Sequence, residues 1–138
     1  MALFTDKHDY RKAFFKHAVS AKKLSSKENK HSLNLLLSYC VECGLKHQIM
    51  EKYNIFKIED ARDDIKRILH EHDFEKLLYA LDVGEYKFHH FTNNHNENVN
   101  AKNYHEFCRY GLSPKETKDF SSYENILSKI VEWLKEEV

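Results

Sequence analysis

The residues that break helices are nearly missing: the 138-residue chain holds three glycines and one proline. A chain so short of breakers has little material for the tight turns of a sheet-rich fold, and its abundant Lys, Glu and Leu favour helix. Net charge is missing too, since 22 basic side chains balance 22 acidic ones. This removes the overall basic excess of a free-standing nucleic-acid binder but leaves room for a local basic face. No apolar run reaches the roughly 18 residues of a membrane span. The opening MALFTDKHDYRKAFF lacks the basic-then-apolar order of a secretory signal. The expected setting is the cytoplasm, with no membrane partner and with Cys40, Cys43 and Cys108 as free thiols. Hydrophobic residues make up 41% and charged residues 32% of the chain, a globular balance rather than a disordered one. The length suits a single domain over residues 1–138.

Apolar residues recur at helical spacing. Thr5 or Asp6 can cap a first helix to about Leu24, with Tyr10, Phe14, Ala18 and Ala21 inward and a basic opposite face. A polar stretch, SSKENKH, connects it to a second helix over about 32–53. That helix is apolar on most sides and so belongs at the centre of a bundle. Gly44 inside it costs about 1 kcal/mol against alanine, which points to a close helix approach there. A third helix is expected over about 59–71, and Asp73 looks like the N-cap of a fourth. Residues 83–99, rich in Asn, His and aromatics, have no sustained period and read as a long loop with room for a short hairpin. Asn100 can cap a helix over about 101–110, ended by Gly111 and Pro114, and Ser121 with Glu124 fits a capping box for the last helix. The expected fold is all-α, an up-and-down bundle of five or six helices with one long loop.

Four constellations could carry chemistry. Cys40, Cys43 and His47 share a helical face, but a structural zinc needs a fourth ligand and none is evident, so no metal and no cofactor is expected. Glu42 is the one acid in the apolar run from Leu33 to Leu45; it can bridge Lys46 at i, i+4 or be held by Arg109 from a later apolar helix. The Arg-x(4–6)-His pattern of some ribonucleases occurs as Arg67 to His72 and as Arg11 to His17. With four arginines and ten histidines, about one match arises by chance, and Arg67 and His72 straddle the boundary capped by Asp73, so His72 reads as a turn residue rather than a base. The histidines at 70, 72, 89, 90, 95 and 105 have no ligand-like spacing with carboxylates and read as solvated.

Three strings stand in a telling order: Leu36-Leu-Ser-Tyr-Cys-Val-Glu-Cys-Gly-Leu-Lys46, His72-Asp-Phe-Glu-Lys-Leu-Leu78 and Phe107-Cys-Arg-Tyr110. The first resembles the second-helix signature of prokaryotic HEPN-like proteins of the Glu-Cys-Gly-Leu-Lys type. The second is similar to their downstream His-Asp-Leu segment, and the third to the Arg-Tyr before their last helix. The resemblance extends over about half the chain. It implies a helical bundle that often dimerises and a setting in toxin–antitoxin, antiphage-defence or RNA-processing systems. It also implies Arg-x(4–6)-His near the domain end in the active ribonucleases. Here Arg109 is followed by no histidine at that distance, and the last helix has neither Arg nor His.

The leading expectation is therefore a non-catalytic HEPN-like interaction module: a homodimer, or a small subunit of a defence or RNA-handling assembly. Glu42, Lys46, Arg109 and Tyr110 are its candidate binding residues, and the loop from Gly84 to Asn100 and the basic face of the first helix its candidate contact surfaces. No catalytic residue is assigned. The alternative is a metal-independent endoribonuclease toxin drawing on Arg67 with His72, or on Arg109 with a histidine of the Tyr86–His95 loop. There histidine would take the 2′-hydroxyl proton and arginine would stabilise phosphate charge. A third class, nucleotide binding in a helical cleft, would use Arg109, Lys46 and aromatic side chains.

Overall fold

The computed structural model describes residues 6–24, 30–112, 114–116 and 118–138. Among them are six α-helices: α1 (Lys7–Lys23), α2 (Lys30–Lys52), α3 (Asp63–Leu69), α4 (Phe74–Ala80), α5 (Tyr104–Arg109) and α6 (Lys118–Glu137). One small antiparallel hairpin joins β1 (Phe91–Thr92) to β2 (Asn98–Val99). The all-α helical-bundle expectation holds. Among the described residues no helix is long and apolar enough to cross a membrane.

Local chemistry sets the starts of two helices. Asp6 caps α1: its carboxylate accepts from the Asp9 N–H, and the Asp9 carboxylate accepts from the Asp6 N–H in return. Thr5, the other candidate cap, lies outside the described residues, as does most of the SSKENKH connection. Asp73 caps α4 by accepting from the Glu75 N–H.

Three boundaries differ from expectation. The third helix splits into a single 3-10 turn, Ile58–Asp60, and α3, because Ala61 and Arg62 are extended. The fifth helix starts three residues late: Asn100 Oδ1 accepts from the Lys102 N–H and Asn103 Oδ1 from the Asn100 N–H, which holds 100–103 as turns. The last helix begins at Lys118, so Ser121 and Glu124 sit inside it rather than at a capping box. Glu124 instead reaches α2, pairing with Lys30 at 2.7 Å.

The second helix is the axis of the bundle, packing against α1, α4, α5 and α6. At Gly44 side chains of α1 and α6 close on its backbone. A Cβ there would stand 2.6 Å from Leu134 Cδ1 of α6 and 2.8 Å from Phe14 Cδ1 of α1. On another side, Tyr104 of α5 stacks on Tyr123 of α6 with ring centroids 4.3 Å apart, and its hydroxyl donates to Oδ1 of buried Asn34 at 2.8 Å. The loop over 83–99 is anchored to this aromatic core by buried Phe88, Phe91 and Val99. Its tip is a turn built on Asn93, whose Oδ1 accepts from the N–H groups of His95 and Glu97.

Candidate functional site

One polar cluster interrupts the apolar surroundings of α2. Glu42 and Lys46, one helical turn apart, pair at 3.1 Å, and both are largely buried. The other Glu42 oxygen meets His72 Nδ1 at 2.8 Å. His72 lies in the short connection between α3 and the Asp73 cap of α4, and from there its ring reaches α2. A carboxylate only accepts, so the His72 Nδ1 is the donor, and in the neutral form of the ring Nε2 keeps a free lone pair. The ring of His105, in the first turn of α5, lies 4.8 Å from that of His72. His105 is buried, and its Nδ1 is the single buried side-chain nitrogen or oxygen without a hydrogen-bond partner among the described residues. Burial, then the nearby charges of His72 and Arg109, lower its pKa, against the pull of Glu42 and Glu106.

At the far end of α5, Arg109 is exposed and donates to the Tyr39 hydroxyl of α2 at 3.3 Å. Tyr110 beside it is 67% exposed. The expected direct Glu42–Arg109 pair is not formed. Lys46 and His72 already occupy both Glu42 oxygens, and Arg109 turns to a neutral hydroxyl one turn earlier on α2. Both groups influence the titration of His105, in opposite directions.

The two Arg-x(4–6)-His matches come apart. Arg67 is exposed on α3 while His72 binds Glu42; Arg11 lies over the Phe15 ring while His17 packs on Tyr39. The loop histidine nearest a carboxylate, His89, pairs with Asp119 of α6 at 2.9 Å rather than joining Arg109. Cys40 donates to the Phe14 carbonyl, and burial pushes the thiols of Cys40, Cys43 and Cys108 up to about 12, which leaves them little thiolate character. Among the described residues no group of three His, Cys, Asp or Glu is placed to hold a metal ion.

The cluster thus gathers Glu42, Lys46 and His72 and adds His105, which sequence reasoning left among the solvated histidines. A lone histidine in a short helix carries no pattern, and its partner is thirty-three positions away in the chain. Chemically the arrangement is an imidazole fixed by a carboxylate, backed by a buried second imidazole and flanked by an exposed guanidinium. No family model matches the chain, and no curated protein or solved structure matches it.

Proposed function

We propose that the chain is a non-catalytic HEPN-like interaction module, working as a homodimer or as a small subunit of a prokaryotic antiphage-defence or RNA-handling assembly. The observation that carries this reading is the end of α5. Arg109 and Tyr110 stand exposed side by side, and the guanidinium is held in position by the Tyr39 hydroxyl. Exposed Arg and Tyr, pre-positioned at low entropy cost, are the side chains that most often anchor protein interfaces. The test is the mass of the purified chain by light scattering, with and without the subunits that co-purify. Assembly should be lost on Arg109→Ala with Tyr110→Ala while the thermal melt is unchanged. A monomer of 16.5 kDa that associates with nothing, or an assembly indifferent to both substitutions, would count against it.

A second reading, a metal-independent endoribonuclease, is favoured by the Glu42–His72 contact, which orients an imidazole as a general base must be oriented. It predicts cleavage of single-stranded RNA in the presence of EDTA, abolished by His72→Ala. Intact RNA after prolonged incubation with the assembled protein would remove it.

A further inference from the structure

A separate cleft of about 600 Å³ opens between the start of the hairpin and the first turns of α6, lined by His89, His90, Thr92, Lys115, Asp119 and Ser122 among others. We propose that it binds a phosphate monoester, with His89 and Lys115 as the contacts to the phosphate. This goes beyond the interaction-module reading and does not depend on it.

The argument begins with how firmly His89 is held. Its Nε2 meets the Asp119 carboxylate at 2.9 Å, and the Asp119 side chain is only 12% exposed. Its ring lies edge-on to Tyr123, with centroids 5.3 Å apart, and its backbone carbonyl accepts from the Tyr123 hydroxyl at 2.6 Å. An ordinary surface histidine is not fixed from three directions, and the side chain nevertheless stays 41% exposed. With Nε2 committed to Asp119, Nδ1 is the ring atom left for a ligand. It can accept from the P–OH of a monoanion or, once protonated, donate to the dianion.

Charge selects the ligand. Both carboxylates of the cleft are engaged: Asp119 by His89, and Glu116 by Lys118 at 2.9 Å. Lys115 and His90, exposed on the same cleft, have no acidic partner among the described residues. The Lys115 backbone N–H donates to the Thr92 carbonyl at 3.1 Å, which ties its segment to β1 beside the cleft. Lys115 is therefore the cation of the cleft left open to an anion, and the Thr92 and Ser122 hydroxyls add neutral donors. A terminal phosphate carries up to two charges on three oxygens and matches this set. A phosphodiester carries one charge, and both of its ester arms would have to leave the cleft.

The experiment is an NMR titration of the isotope-labelled full chain with inorganic phosphate and with glycerol 3-phosphate. A 5′-hydroxyl oligoribonucleotide, which has phosphodiesters only, serves as competitor. The expected result is saturable shifts confined to His89, Lys115 and Ser122, weakened about tenfold by Lys115→Ala and by His89→Gln, and not reversed by the oligonucleotide. Lys115 is exposed and its replacement leaves the core untouched, so the test stands even if His89→Gln impairs folding. Shifts that never saturate and spread over lysines throughout the surface would overturn the proposal. So would affinity unchanged in Lys115→Ala, or displacement by the oligonucleotide.

Discussion

The two sides of α2 solve opposite problems. Around Gly44 the helix lacks a side chain altogether, so that Phe14 and Leu134 can close on its backbone. Around Glu42 and Lys46 it carries two charges into a largely buried position and must satisfy them there. On the first side, stability comes from dispersion and apolar burial, which tolerate no added volume. On the second it comes from mutual compensation of charges, which tolerates no missing partner. The same helix therefore has one side sensitive to adding atoms and another sensitive to removing charge. Only the polar side offers groups with chemistry of their own.

The largest effect should come from breaking the polar side. Glu42→Gln leaves the ammonium of Lys46, a side chain only 5% exposed, without its counter-charge, and should cost about 3 kcal/mol in chemical denaturation. Adding Lys46→Met should return part of that loss, while adding Arg109→Met should return none, because Arg109 is not the partner. Recovery by Arg109→Met alone would reverse the assignment of the pair.

Adding one methyl to the apolar side should cost less. Gly44→Ala gains about 1 kcal/mol of helix propensity, but its Cβ would come 2.6 Å from Leu134 Cδ1, and Leu134 is fully buried with little freedom to retreat. Overpacking of this kind costs about 1–3 kcal/mol, so the net outcome should be a modest destabilisation. A melting temperature raised by Gly44→Ala would mean that the three helices are less tightly packed than their geometry indicates.

A pH series compares the two sides without changing any atom. The folded chain holds His105 at a lowered pKa, chiefly through burial, so the folded state binds its proton less readily than the unfolded one. This stabilising preference is complete above the ordinary imidazole value of about 6.5 and is lost as pH falls from there through the folded value. His17 and His47 are lowered in the same direction by burial, so the isolating measurement is a difference. The melting temperature of His105→Phe should fall less between pH 7.5 and pH 5.5 than that of the unsubstituted chain. Parallel curves would assign the acid sensitivity to the other two histidines.

Features that rest on neighbouring residues were legible in the sequence, and features that rest on the fold were not. The central position of α2 follows from its apolar sides, the tight approach at Gly44 from an unexplained glycine, and the start of α4 from Asp73. Glu42 stood out because a carboxylate in an apolar run needs a partner, yet the choice among cations depended on tertiary geometry. Lys46, one turn away, was in reach whatever the fold, whereas His72 needed the α3–α4 connection to pack beside α2. The start of α5 was misread because Asn100 and Asn103 are equally good caps and equally good turn formers, and here the turn bonds prevail over one more helical turn. His105 gave no signal of its own, since its significance lies in a buried nitrogen that only packing could isolate.

The smallest effect on stability should come from Tyr39→Phe, and it is the most direct test of how the polar side serves function. The substitution removes a single hydroxyl whose partner, Arg109, is exposed, so the melt should move by less than about 0.5 kcal/mol. The guanidinium, however, loses the group that restricts its rotamers, and an anchor that must be ordered on association binds less tightly. If Arg109 and Tyr110 are the contact face, Tyr39→Phe should weaken assembly several-fold, by less than Arg109→Ala does, with the fold intact in both. Sedimentation over a range of protein concentrations reads this directly. Equal assembly in Tyr39→Phe and the unsubstituted chain would leave Arg109 with no need of positioning. A loss of stability matching the loss of assembly would make the Tyr39–Arg109 contact part of the bundle's own packing rather than a device for binding.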